Sequence, residues 1–129
     1  MRFSVLAALA ATAFAAAPTI PPVDVSGTLR QVPVALIMAY DSGCEACILS
    51  KPEFEEVESD VPTYLVEASE AEAQAFRDEY GITSFPAFML LEHGSLTEMY
   101  EGERSRAAFE AYLSAKTAPP APEVVTSEL

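Results

Sequence analysis

Residues 34–47 read Val34-Ala35-Leu36-Ile37-Met38-Ala39-Tyr40-Asp41-Ser42-Gly43-Cys44-Glu45-Ala46-Cys47. The first half is an unbroken apolar run, bounded by Pro33 and by Asp41-Ser42-Gly43. A short apolar run between turn residues is the pattern of a strand buried on both faces, as in a parallel sheet. The second half holds both cysteines of the chain in a Cys-x-x-Cys motif. That motif alone says little, but between a buried strand and a helical pattern it reads as a redox dithiol. A helix opening at Cys44 offers its N-terminal N–H groups to a thiolate. Cys44, nearer solvent, is the candidate nucleophile, and Cys47, one turn deeper, the candidate resolving thiol.

Downstream, the pattern predicts a helix over about 44–59, with Cys47, Phe54 and Val57 inward and Glu53, Glu55, Glu56 and Glu58 outward. Pro52 falls inside it and should kink it. A short strand follows at 63–67, introduced by Pro62. Ser69 can cap a helix over 70–80, with Glu72 at capping-box spacing and Gly81 closing it. Residues 87–91 and 96–100 form a hairpin pattern around Glu92-His93-Gly94-Ser95. Ser105 can cap a last helix to about Lys116, whose apolar face is Ala108, Phe109, Tyr112 and Leu113. Upstream, 18–22 is proline-rich and reads as extended, and Val23 and Val25 can begin a short edge strand that Gly27 interrupts. The order implies an α/β fold with a mixed central sheet. A right-handed βαβ unit is extended by a hairpin, with helices on both faces.

The 129 residues carry 20 acidic and 7 basic side chains, a formal charge of −13. Residues 1–17 read as a secretory leader: Arg2 is the charged start, 3–14 is apolar and Ala-rich, and Ala13-Phe14-Ala15 is a small-x-small cleavage pattern. That stretch is short for a bilayer span of about 20 apolar residues. Its removal would leave about 112 residues at about −14, with no second apolar run long enough to cross a membrane. Export implies an oxidising compartment. A disulfide closing so small a loop stabilises little, so a structural staple explains the cysteines poorly. The charge argues against nucleic acid and anionic membranes as partners. It reads as solubility, or as a surface suited to basic clients. No Asn occurs, so no N-glycosylation acceptor exists. Structural zinc takes four protein ligands. The chain offers two cysteines and His93, which falls in an expected turn, so no metal is expected. The implied organisation is a leader at 1–17, an extended lead-in at 18–31, one domain at 32–116, and an acidic Pro/Ala-rich tail at 117–129 that is expected to be disordered. The terminal Thr126-Ser127-Glu128-Leu129 shares only Glu-Leu with the Lys-Asp-Glu-Leu retention signal.

Four anchors in order resemble the thioredoxin superfamily, and most of all a single catalytic-type domain of the protein disulfide isomerase family. They are Cys44–Cys47 after the strand, Pro52 five residues past the second cysteine, Tyr80-Gly81-Ile82-Thr83-Ser84-Phe85-Pro86, and Tyr100-Glu101-Gly102-Glu103-Arg104 before the last helix. The resemblance covers about 32–113. It implies a thioredoxin fold and thiol–disulfide exchange with cysteine-containing client proteins as they fold. No cofactor is bound, because the dithiol is the redox group. The redox partner would be a thiol oxidase, glutathione or a reductase, and the place the endoplasmic reticulum lumen or outside the cell, although a bacterial periplasm fits the same leader. Cys44, Cys47 and Arg104 would be catalytic, and Gly43, Phe85 and Pro86 would meet the client. Pro86 would be cis and face the dithiol, exposing backbone at Phe85 to an extended peptide. Arg104 matches the family's mobile arginine, which approaches the second cysteine; its plainer reading is a solvated charge at a helix start.

Three positions depart from the family. Gly43 stands where a Trp is usual. Met38 stands where a buried carboxylate assists the resolving thiol, which leaves water or Glu67 as the base. Glu45-Ala46 replaces Gly-His between the cysteines. A carboxylate about 4 Å from a thiolate in water costs on the order of 1 kcal/mol. The pair is therefore expected to be more reducing than a Gly-His pair, by roughly 20–30 mV for each unit of thiol acidity lost. The competing reading of the chain is a redox-inert module of the same fold that holds extended clients.

Overall fold

The computed structural model describes residues 17–117. The expected leader up to residue 16 and the tail beyond 117 lie outside the described residues. The apolar run becomes β1 (Ala35–Tyr40), buried along its whole length. It is central in a four-stranded sheet of order β2-β1-β3-β4. β2 (Thr63–Glu67) lies parallel to it, with Met38 opposite Leu65. β3 (Ala87–Glu92) lies antiparallel on the other side, with Met38 opposite Phe88. β4 (Ser95–Tyr100) closes the hairpin with an irregular register at Leu90/Leu91. A two-residue turn joins β3 to β4, with positive φ at both His93 (52°) and Gly94 (83°). That pairing of left-handed residues matches the right-handed twist of hairpin strands.

Alternation along β1 divides the core. Leu36, Met38 and Tyr40 pack with Cys47, Phe54, Phe88, Phe109 and Leu113. Ala35, Ile37 and Ala39 pack with Val25, Leu29, Phe76, Tyr80 and Met89. The first set is covered by α2 (Glu45–Glu55) and α4 (Arg106–Thr117), the second by α1 (Val25–Leu29) and α3 (Gln74–Tyr80). The expected α/β fold, mixed sheet with helices on both faces, is the observed one.

The helical boundaries differ from the sequence reading in instructive ways. Pro18–Ile20 is extended and pairs with Leu65 at the β2 edge. The expected edge strand at Val23 and Val25 is instead a 3-10 turn (Pro22–Asp24) running into α1. Val25 and Leu29, four residues apart, are both buried there, and helical spacing is what sends both to one face. The extended lead-in therefore ends at Pro21. α2 stops at Glu55 rather than 59, and Val57 packs from the loop beyond it. Pro52 lies inside α2 and removes one helical N–H, while the buried Ser50 hydroxyl bonds the Ala46 carbonyl at 2.8 Å. The segment after Ser69 opens as a 3-10 turn (Ala71–Ala73) before α3, without a side-chain cap. The Ser69 hydroxyl is taken by Glu67 Oε2 at 2.7 Å. Gly81 does end α3 with φ 68°, and Ser105 Oγ accepts the Ala108 N–H at 3.2 Å at the start of α4. That helix runs through Thr117, one residue into the segment read as tail.

Candidate functional site

The dithiol sits where β1 gives way to α2. Tyr40 leads into Asp41-Ser42-Gly43, a loop pinned from three sides. Asp41 Oδ1 accepts the Gly43 N–H at 3.0 Å, the Asp41 carbonyl accepts the Cys44 N–H at 3.0 Å, and Glu67 Oε2 accepts the Ser42 N–H at 3.1 Å. Cys44 is then the N-cap of α2, in extended conformation (φ −87°, ψ 125°), and its sulfur accepts the Cys47 N–H at 3.1 Å. A sulfur in that place faces unpaired N–H groups and the positive end of the helix, which favours negative charge on it. Cys44 is half-buried and Cys47 fully buried, and both are free thiols. The inner thiol packs among Met38, Tyr40, Phe54 and Phe88. Burial pushes it up to about 11, aided by the hydrogen bond and charge of Cys44 and the charge of Asp41, while the Asp41 backbone N–H pulls the other way. The two sulfurs thus occupy different environments, one at the helix end and one in an apolar shell.

The third wall comes from the segment before β3. The Phe85–Pro86 peptide is cis. Pro86 is buried and Phe85 half-buried, and the Cys44 thiol points at the Phe85 carbonyl at 3.8 Å. Gly43 is exposed beside Cys44. A Cβ added there would meet only Asp41 Oδ1, at 3.8 Å, so packing does not dictate the absence of a side chain. Gly43, Cys44, Cys47, Phe85 and Pro86 therefore come together at one end of the sheet. Arg104 is exposed, and its guanidinium lies 5.9 Å from the centre of the Phe88 ring. It lines an open groove of about 620 Å³ with Pro86, Phe88, Tyr100 and Glu101. The charges acting on Cys47 are those of Cys44 and Asp41.

Met38 is fully buried against Cys47's shell and carries no ionisable group. Glu67, considered as a substitute base, is engaged in holding the Ser42 N–H and the Ser69 hydroxyl. Sequence reasoning missed Asp41, which looked like a turn residue. Its position three residues before the first cysteine, in a loop that must be anchored, was the available signal. It also missed that Ile48 and Leu49, just past Cys47, are 58% and 70% exposed. An apolar pair directly after the motif, beside the outward Glu45, could have shown it.

The sequence model of the family described as Thioredoxin matches residues 27–115. Among curated proteins, the probable protein disulfide-isomerase ER-60 of Schistosoma mansoni is 25% identical over 103 residues, covering 76% of this chain and 21% of that protein. Among solved structures, human ERp44 in a zinc-bound form superposes with a TM-score of 0.71 at 22% identity, covering 81% of this chain and 31% of that one. A thioredoxin from Halobacterium salinarum superposes at 0.69 with 19% identity, over 81% of this chain and 95% of its own. The chain spans a fifth to a third of the two larger relatives, and at these identities the superpositions speak for the fold.

Proposed function

The chain belongs to the thioredoxin family, related to its protein disulfide isomerase branch, and on that premise we propose that it is a thiol–disulfide oxidoreductase acting on cysteines of folding secretory proteins. The observation that carries the reading is the Cys44 sulfur, capping α2 at 3.1 Å from the Cys47 N–H and facing the Phe85 carbonyl at 3.8 Å. In the reducing direction the Cys44 thiolate attacks one sulfur of a client disulfide. That S–S bond breaks, its electron pair leaves with the second client sulfur, and a Cys44–client mixed disulfide forms. Cys47 then attacks Cys44, the mixed disulfide breaks, and the client departs as a thiolate while the chain becomes the Cys44–Cys47 disulfide. The oxidising direction is the reverse. An extended client lies beside Phe85 and Pro86, with Gly43 leaving room above Cys44. Arg104 serves catalysis by swinging from Phe88 toward Cys47. The redox equivalents come from a thiol oxidase, glutathione or a reductase, and the dithiol needs no added cofactor. The place of action is the secretory pathway, the endoplasmic reticulum lumen first. The leader pattern and the relationship to a protein named ER-60 support it.

Turnover of insulin disulfides or of scrambled ribonuclease tests this directly. The expected result is activity lost in Cys44→Ala. Equal rates in the two proteins in both assays would refute the reading. A second reading, a redox-inert module that holds extended clients, draws on Met38 and Gly43, where groups usual in the family are missing. Cys47→Ala separates the two: an oxidoreductase accumulates covalent client adducts on Cys44, and a passive module does not.

A further inference from the structure

Cys47 must lose a proton before it can attack, and its surroundings oppose that. The residue is 1% exposed. Leu36, Met38, Phe54, Phe88 and Phe109 of the same cluster offer it no proton acceptor. With the thiol pushed up to about 11, only about one molecule in ten thousand would carry the thiolate at neutral pH. A second opening reaches this buried residue. A pocket of about 130 Å³ is lined by Tyr40, Asp41, Ser42, Cys47, Ile48 and Lys51; its walls are largely apolar, but it is roomy enough for water and Asp41, Ser42 and Lys51 give that water polar partners. Lys51, held 4.6 Å over the Tyr40 ring, is a donor without acceptor capacity, and the Tyr40 and Ser42 hydroxyls are weak bases. That leaves one carboxylate in the lining. Its backbone is fixed beside the dithiol, because the Asp41 carbonyl holds the Cys44 N–H at 3.0 Å, and hydrogen bonding from that backbone is what partly offsets the burial of the Cys47 thiol. Its Oδ1 is fixed by Gly43 at 3.0 Å.

We propose that Asp41 is the base for the resolving thiol, taking the Cys47 proton through water in the pocket between Tyr40 and Lys51. The inference rests on the exchange reading above. In the step, the Cys47 S–H bond breaks and the proton passes to the Asp41 carboxylate. The sulfur electron pair forms the bond to Cys44, the Cys44–client bond breaks, and its electron pair leaves on the client sulfur. The proton on Asp41 then goes to that thiolate or to solvent. The dithiol is the reductant and the client disulfide the oxidant. The groups that can shape the pH response are Tyr40 from β1, Asp41 from the loop, and Cys44 and Lys51 from α2. The Phe88 and Phe109 side chains from β3 and α4 are apolar.

The test mixes the reduced full chain with oxidised glutathione, quenches with acid, and follows the glutathione adduct on Cys44 by mass spectrometry as it forms and as Cys47 resolves it. Asp41→Asn keeps an acceptor for the Gly43 N–H. The expected result is adduct formation within twofold of the unaltered chain and resolution slowed about 100-fold at pH 7, with the deficit shrinking as pH approaches 11. Unchanged or faster resolution would overturn the proposal. A purely electrostatic Asp41 predicts acceleration, because its charge opposes the thiolate. The unaltered chain gives a second reading that needs no variant. Base assistance predicts a resolution rate nearly flat from pH 6 to 9, whereas a tenfold rise per pH unit means Cys47 ionises unaided and sinks the idea. Glutathione that is never trapped on Cys44 in Cys47→Ala removes the exchange reading and this inference with it. Trapping with normal resolution in Asp41→Asn removes Asp41 alone.

Discussion

Glu45 and Cys47 show how single side chains set the working range of this dithiol. Glu45 occupies the first turn of α2, where a carboxylate is favoured by the helix dipole. The Cys44 sulfur uses the same end of the same helix, so the two negative charges compete for one set of N–H groups. Replacing Glu45-Ala46 by Gly-His removes the competitor and adds a cationic partner. The expected outcome is a potential more oxidising by roughly 20–30 mV per unit of thiol acidity gained, read by equilibration in glutathione buffers. No change, or a shift to more reducing values, would contradict it. Cys47 makes a separate prediction about stability. Its thiol is pushed from 9.0 in an open environment to about 11 in the fold. Between those values the unfolded chain has released a proton that the folded chain keeps, so rising pH favours unfolding. The stability tied to this proton is fully present below pH 9 and lost as pH climbs through 11. Between pH 9 and 10 the loss should be about 1 kcal/mol. Burial also raises Tyr80, Tyr100 and Tyr112, Tyr112 further through Glu98, and each adds up to about 0.4 kcal/mol of loss over the same interval. Urea unfolding of the reduced protein at the two pH values should therefore show the slope, and Cys47→Ala should flatten it by about 1 kcal/mol, leaving only the tyrosine part.

At the scale of elements, what the sequence made legible was whatever a backbone period or a φ requirement dictates alone. β1 was readable because a fully apolar run between turn residues has few other homes. Gly81 was readable because a helix end wants a left-handed residue. The two glycines at positive φ also differ in a testable way. Gly81 (φ 68°) has open space where a Cβ would stand, whereas at Gly94 (φ 83°) a Cβ would lie 3.2 Å from the Ser26 carbonyl oxygen. Gly81→Ala should cost about 1 kcal/mol from backbone strain alone. Gly94→Ala should cost about 2 kcal/mol or more, because the α1 backbone must also shift. Urea midpoints at unchanged slope measure both, and equal costs would show that the contact with Ser26 yields freely. What was not legible depended on partners distant in sequence. α1 is only five residues long and contains Gly27, so no periodicity could announce it; it exists because Val25 and Leu29 find the face of the sheet that α3 leaves open. Ser69 looked like a cap until Glu67 claimed its hydroxyl. The site was readable as far as Cys44, Cys47 and Pro86, because their types and spacing carry the chemistry. Asp41 was not, since its meaning comes from the pocket that Lys51 closes from one turn further along α2.

Across the whole molecule, the sheet separates a redox side from a purely structural side. Cys47 belongs to the packing beneath α2 and α4, where Phe109 lies 5.5 Å from the Phe54 ring and 5.0 Å from the Phe88 ring. Those two helices are clamped at their ends. Glu53 Oε1 accepts the Arg106 N–H at 2.7 Å, and Glu110 Oε2 accepts the Glu58 N–H at 2.8 Å. Leu29 is equally buried on the opposite face. Equal burial there does not mean equal influence on the thiol. Leu29→Ala should cost about 2–5 kcal/mol and Phe109→Ala about 3–5 kcal/mol, so stability alone cannot tell the faces apart. Alkylation of Cys47 by iodoacetamide can. In a Cys44→Ala background under native conditions, Phe109→Ala opens a cavity in the shell that shields the sulfur, and labelling should accelerate severalfold beyond the amount explained by its lower global stability. Leu29→Ala should accelerate labelling only by the increase in unfolded fraction, which its urea curve gives independently. Matching both labelling rates to their unfolding equilibria, with no excess for Phe109→Ala, would mean that Cys47 is reached only by global opening. The two faces would then be one cooperative core rather than a shielded thiol on one side and a scaffold on the other.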